Sequence, residues 1–387
     1  MSLFTHVHLH NFFKNKELNH FYCSVAIMTF GEALISVFVP IYLFRSGYSI
    51  QAIIFFYFLS SLSFVLFGYL GAKIVSLIGV KHSILWSTPL LILFYFGLKY
   101  LDGPNWIFFI LPILLAGRMM LYNYAYHLNF ITHSDRKKRG REISALSAVA
   151  LIMNILAPLI GGVLAAYSFS LLYFIGSIIL FLGLIPLFLT RDQHEKFDFS
   201  ARNLFKSILS KKEKGEMISF SGYAIESMIG KIVWPIFLII ALISLEKTGL
   251  VIMLSAILSL VVLFIAGELA DRFSQIKLLR LGTLLYFLGW VGRIFADTAY
   301  RIFFIDSYKN IAEKILHIPW DAHSYNLAMQ SGYFRFIVGR EIIFNLSRIA
   351  IMPVLCLVFY IGYHPFILSF ALAATSSLGY MFLSEKK

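Results

Sequence analysis

The 387 residues are 59% hydrophobic and 14% charged, with 39 Phe and a net charge of +13. A soluble domain is about 45 to 50% apolar and about 25% charged, so a water-soluble globule of this length could not hide so much apolar surface. That excludes soluble enzymes, nucleic-acid-binding domains and disordered proteins, and leaves lipid as the main solvent. Surplus cations then speak of membrane orientation, not of nucleic acid. Cys23 and Cys356 lie far apart in apolar stretches, which argues against a disulfide framework, a zinc site or redox chemistry.

A polar tail, residues 1–20, opens the chain. His6, His8 and His10 alternate there without a carboxylate or thiol beside them, and read as a solvated terminus. A spanning helix needs about 20 largely apolar residues. Beyond the tail, charged and Gly/Pro-bearing breaks divide the chain into twelve such spans, at 21–44, 50–75, 83–101, 106–131, 143–168, 171–189, 217–245, 248–270, 278–296, 300–327, 341–361 and 365–383. The expected fold class is an all-α integral membrane protein of two six-helix pseudo-repeats. Its halves are 21–189 and 217–383, joined by a basic linker, 190–216, and followed by a short tail, 384–387.

Lys and Arg test this division, because their alternation depends on every span being real. One side receives Lys14 and Lys16, Lys73 and Lys81, the cluster from Arg136 to Arg141, the linker cations, Arg272, Lys277, Arg280, Arg335, Arg340, Lys386 and Lys387. The other side has Arg45, Lys99, Lys247 and Arg301. By the positive-inside rule both termini are expected in the cytoplasm, in a plasma or inner membrane. Arg118, Lys231, Arg293, Lys309, Lys314 and Arg348 fall inside spans.

The halves repeat. Glu32 with Pro40-Ile41-Tyr42-Leu43 returns as Glu226 with Pro235-Ile236-Phe237-Leu238, and Ile107-Phe108-Phe109-Ile110 returns as Ile302-Phe303-Phe304-Ile305. Gly68 returns as Gly267, and Gly140-Arg141-Glu142-Ile143 returns unchanged as Gly339-Arg340-Glu341-Ile342, opening spans five and eleven. All are shifted by about half the chain, the mark of an internal repeat.

Charges inside the spans need partners or water, since one at the bilayer centre costs at least about 2.5 to 3.5 kcal/mol. Glu32, Arg118, Glu226 and Glu313 lie roughly 13 to 20 Å into spans one, four, seven and ten, near mid-membrane. In span ten, Asp306, Lys309, Glu313, His317 and Asp321 share one helical face, which cannot look at lipid. Lys309 is placed to pair with Asp306 and Glu313, Lys314 points elsewhere, and Pro319 is expected to kink the helix. These charges can serve a transport site or merely lock the bundle.

Six plus six spans around a basic linker resemble the major facilitator superfamily. Gly267-Glu268-Leu269-Ala270-Asp271-Arg272 is similar to that family's Gly-x-x-x-Asp-Arg loop, and Gly68 to Lys73 is its first-half copy, with Ala72 in place of the acid. Pro158-Leu159-Ile160-Gly161-Gly162 resembles part of a motif of the family's exporters, although glycines there also serve helix packing. Arg118 resembles the family's buried arginine in the fourth helix. The resemblance implies that spans one, four, seven and ten line a central cavity, with the halves rocking around it. It also implies a cytoplasmic latch, here Asp271 and Arg272 with Arg141 and Glu142, and Lys73 with Glu341 beside Arg340, the loops approaching closely at Gly267 and its copy Gly68. For Glu142 and Glu341, a place at a helix N-terminus is the alternative role.

The functional expectation is a secondary active transporter of a small solute, working by alternating access and coupled to protons, in the direction of export. Uptake by the same fold is the alternative. A membrane-embedded enzyme such as a lipid-linked glycosyltransferase is less favoured, because outer loops are short and hold only Asp102, Glu246 and Asp297. No Walker-type segment and no pore-loop repeat is visible. Glu32, Glu226 and Arg118 are the candidates for proton coupling; Lys231, Asp306, Lys309, Glu313 and His317 are those for the solute cavity. No cofactor, metal or nucleic-acid partner is expected, and the chain is expected to be monomeric in its bilayer.

Overall fold

A computed structural model describes residues 16–101, 106–133, 139–192, 194, 200–208, 214–272, 275–330 and 332–383, with the side chains of 16–18, 132–133, 139–148, 205, 207–208, 261–272 and 275 outside the description. No strand occurs among the described residues. In lipid nothing outside the chain satisfies a backbone N–H or C=O, so apolar runs of this length close their hydrogen bonds within helices.

Span one is two helices, Lys16–Ser36 and Phe38–Arg45. They part at Val37 because Pro40 has no N–H to return to the carbonyl of Ser36. Spans two to five are Ile50–Ile78, Val80–Leu98, Ile107–His133 and Arg139–Tyr167, and span six is Phe169–Leu182 with a 3-10 turn at Ile185–Leu189. A short helix, Ala201–Ile208, lies in the linker, with Leu204 fully buried, and packs on span eleven. Spans seven to eleven are Lys214–Leu242, Leu245–Arg272, Gln275–Arg293, Ala299–Gln330 and Tyr333–Ile361. Span twelve is Pro365–Ser377, ending in a 3-10 turn at Leu378–Phe382. Eight of these, spans one, two, four to seven, eleven and twelve, are long and apolar enough by themselves to cross a membrane. Span ten is not, since its charges lower its hydropathy.

Pairings in one half recur in the other. Span one packs on five and six as span seven packs on eleven and twelve. Spans two and three pack on four as eight and nine pack on ten. The halves meet where span five lies against eight and span two against eleven. At the first of these the backbones nearly touch. A Cβ at Gly162 would lie 2.5 Å from the carbonyl oxygen of Leu245, and one at Gly249 would enter the carbonyl of Pro158. Gly161 packs in the same way on Leu34 of span one, so both glycines of the exporter-like segment act in close helix contact. Large apolar side chains such as Leu66, Leu77 and Phe181 are exposed on the outside, where lipid covers them.

Two expectations need correction. Span eleven begins at Tyr333, after Gly332 in the left-handed region (φ 81°), and not at Glu341. Arg340 and Glu341 therefore sit two turns inside the helix and are buried, so a helix-terminal role for Glu341 is ruled out. Span ten runs as one helix, Ala299–Gln330, with Pro319 inside it. Gly267, Asp271 and Arg272 lie in the last turns of helix Leu245–Arg272 and not in a loop, and Arg141 and Glu142 lie in the first turn of span five. The side chains of these residues are outside the description.

Candidate functional site

In the first half, Arg118 of span four is buried and pairs with Glu32 of span one. The Arg118 guanidinium also lies 4.0 Å from the centre of the Tyr122 ring, one turn further along the same helix. Glu32 keeps 31% of its side-chain surface exposed. This ion pair therefore borders open space at mid-membrane and is not sealed in the bundle.

The second half treats its glutamate differently. Glu226 of span seven is buried and accepts three hydrogen bonds, from the Tyr286 hydroxyl (2.8 Å), the Trp290 indole (3.2 Å) and the Tyr380 hydroxyl (2.9 Å). These donors come from spans nine and twelve. His317 joins the cage through Tyr380, at 3.1 Å. Lys309 sits over the rings of Tyr286 and Trp290, 4.6 and 5.1 Å from their centres. Three donors satisfy a carboxylate in a place where water does not reach it.

Span ten keeps its internal pair and loses another. Lys309 reaches Glu313 at 3.1 Å, as the spacing predicts. Asp306 does not pair with Lys309, because Arg293 of span nine takes it, stacked on Trp234 and Trp290. That pair is sealed, with 4% and 5% of its side chains exposed. Lys314 does not point away either. It reaches the other oxygen of Glu313 at 3.4 Å, so this carboxylate bridges two lysines at the edge of the cavity. Asp306 and Arg293 thus belong to the core of the second half, while Glu313 and Lys314 stay partly open.

Near the ends of spans four and ten and the start of span eleven the halves are joined by side chains. Glu341 of span eleven accepts from Asn123 of span four at 3.0 Å and from its neighbour Arg340 at 3.2 Å. Arg340 also donates to His127 Nε2 of span four at 2.8 Å and to Ser324 of span ten at 3.3 Å. A guanidinium can only donate, so Nε2 accepts, and the ring carries its hydrogen on Nδ1, which meets the Tyr325 hydroxyl at 2.7 Å. Lys73, expected to pair with Glu341, is exposed instead and makes no ion pair among the described residues. Glu341 turns to Arg340 and span four because it lies within the helix and not at its mouth.

Lys231 stands between these clusters. It is exposed although the five residues after it in span seven are all buried. Arg118 of span four, Glu226 of its own span, and Glu341 and Arg348 of span eleven lie within its electrostatic range. These four groups come from both halves, so Lys231 is exposed within range of charges from each. The cluster thus pairs a partly exposed Glu32 with a buried Arg118, leaves Lys231 exposed within their range, places Glu313 beside Lys309, and buries Glu226 in a cage that His317 joins. Arg348, His127, Asn123, Tyr325 and the aromatic cage complete the arrangement. Of these, Arg348 was visible as a cation inside a span, and the others carry no distinguishing sequence signal in a chain that is 17% aromatic.

A model of the Major Facilitator Superfamily matches residues 21–219, just over half of the chain. No curated protein matches. Among solved structures, the fold is similar to that of a bacterial homologue of the iron transporter ferroportin in its outward-facing state. The TM-score is 0.65 and the identity 13%, over 95% of this chain and 98% of that one. At that identity the likeness speaks for the fold alone.

Proposed function

The chain belongs to the major facilitator superfamily and is a membrane transporter, and from that premise we propose that it moves a small solute by alternating access, driven by protons through Glu32. The observation that carries this reading is the Glu32–Arg118 pair at mid-membrane, with its carboxylate open to the cavity. A proton arriving on Glu32 releases Arg118, and deprotonation recaptures it, so the pair can tie the charge of the cavity to the conformational cycle. Glu226, satisfied by three neutral donors inside one half, is the positioning residue of the two glutamates.

Rocking of the halves requires contacts that open at one face. We assign the cytoplasmic latch to His127, Asn123, Tyr325, Arg340 and Glu341, which join span four to spans ten and eleven. The cation distribution along the chain supports cytoplasmic termini. For direction, the Pro158 to Gly162 segment supports export, in which solute and proton compete. A second reading is uptake, in which both bind together; it is favoured by the cations Lys231 and Arg348 that remain once Arg118 is paired with Glu32. Iron, named for the ferroportin homologue, is not carried over. Among the described residues no three His, Cys, Asp or Glu side chains converge to hold a metal.

Proteoliposomes with an imposed pH gradient and a solute panel test the proposal. Transport should follow the gradient in the wild type and lose its pH dependence in Glu32→Gln. Unchanged pH dependence in that variant would remove Glu32 from the coupling role.

A further inference from the structure

Arg118, Lys309, Lys314 and Arg293 each have a carboxylate partner at mid-membrane. Lys231 and Arg348 do not. Among the described residues neither forms an ion pair. Lys231 makes no hydrogen bond there, and Arg348 makes one long contact, to Asn345 at 3.5 Å. Both lie inside their helices, Lys231 in Lys214–Leu242 and Arg348 in Tyr333–Ile361, on spans that pack together; Ser347, next to Arg348, donates to Ser221 at 2.8 Å, nearly three turns before Lys231. They stand within electrostatic range of one another.

The nearby carboxylates are already engaged. Glu341 is held by Arg340 and Asn123, and Glu226 by Tyr286, Trp290 and Tyr380. Glu32 belongs to Arg118. Lys231 is exposed and Arg348 partly so, and these two like charges keep unspent donors, three on the ammonium and most of five on the guanidinium. Such an arrangement is costly in a membrane unless something anionic comes to it. Aromatic surface lies alongside. Tyr223 is within electrostatic range of Arg348 and packs on Phe344 and Trp320, with ring centres 4.8 and 5.0 Å apart.

We propose that Lys231 and Arg348 form an oxyanion-binding subsite in the cavity, and that the solute is a small organic anion carrying a carboxylate or phosphate group. The guanidinium offers a two-pronged contact to such a group and the ammonium a point charge. This rests on the reading of the cavity as a solute site. An anion held there also binds with the proton on Glu32 and not against it, since protonation frees Arg118 as a third cation nearby. Uptake by co-transport is then the direction that the subsite favours.

The test is binding to the full-length protein in phosphatidylcholine nanodiscs, which does not require transport. Benzoate and phenyl phosphate are the probes, with benzyl alcohol and benzylammonium as the neutral and cationic controls at matched ionic strength. At least one anionic probe should bind and raise the melting temperature. Lys231→Gln and Arg348→Gln should each weaken it about tenfold or more, the loss of one charge-assisted hydrogen bond, and Lys231→Arg should restore most of it. The proposal is overturned if neither anion binds at about 10 mM, if both glutamine variants bind as the wild type does, or if benzylammonium binds as well as benzoate. Repeating the measurement with phosphatidylglycerol in the disc separates solute from lipid headgroup. If the wild type alone gains stability from that lipid and neither soluble anion competes, the pair reads a headgroup and the solute assignment is withdrawn. Failure of pH-driven transport with anion binding intact would count against the coupling role of Glu32 alone.

Discussion

Glu32 and Glu226 occupy equivalent places in the two halves and have opposite surroundings. Glu32 faces a single cation, Arg118, and keeps part of its side chain exposed. Glu226 has lost the open edge and gained a shell of Tyr286, Trp290 and Tyr380. The same carboxylate can be a switch or a strut. What decides is whether its partner is a charge that can leave or a set of neutral donors that cannot. The same contrast separates Glu313, half open between two lysines, from Asp306, sealed against Arg293. In this chain the first half keeps its charges mobile, and the second half uses most of its own to hold itself together.

The most severe test of that division is the sealed pair. Arg293→Met should strand Asp306 and cost about 3 to 5 kcal/mol, read as a large fall in melting temperature or in yield of folded protein. Arg293→Met combined with Asp306→Leu should recover much of it, and a mild single variant would show that water reaches the pair. Next comes the cage. Glu226→Ala leaves three buried donors without an acceptor and should cost about 1 to 3 kcal/mol for each donor that finds no new partner. Glu226→Gln should cost less and leave the pH dependence of transport intact. Should Glu226→Gln instead change that dependence while Glu32→Gln does not, the assignment of switch and strut is reversed.

The existence of the helical spans, though not every boundary, and the recurrence of their pairing were legible because they depend on composition and on position along the chain. Lys309 and Glu313 were legible as a pair for a related reason, since residues four apart on one helix must be neighbours. Asp306 was misassigned because helical spacing says nothing of Arg293, which reaches it from another span. Polar and charged residues also move a helix start out of an apolar window, which is how Tyr333 to Arg340 was read as loop and Glu341 was placed at a helix mouth. Tyr286, Trp290 and Tyr380 could not be singled out among so many aromatics. Their role exists only in the packing of spans nine and twelve on seven.

Smaller effects sharpen the comparison at its edges. Glu32→Gln should change melting stability by about 1 kcal/mol or less, because its carboxylate is partly hydrated, while removing the pH response of transport. His127→Phe removes the acceptor for Arg340 and should loosen the junction of span four with span eleven, the proposed cytoplasmic latch. Cysteines placed on the two membrane faces would then label several-fold faster on the cytoplasmic side, with a melting temperature close to wild type. Equal labelling would show that spans four and eleven are held by other contacts.

Where spans five and eight cross, Gly162 and Gly249 bring backbone against backbone, with carbonyl oxygens lying where side chains would otherwise stand. Side chains that interdigitate act as teeth, and one set must climb over the other before a helix can slide or roll. A smooth contact has no teeth. The crossing therefore works as a bearing, able to turn through small angles without leaving its seat. A single methyl group at either glycine would turn that bearing into a detent. Gly162→Ala would place its methyl 2.5 Å from the Leu245 carbonyl oxygen and force the two helices apart, so turnover and stability should both fall.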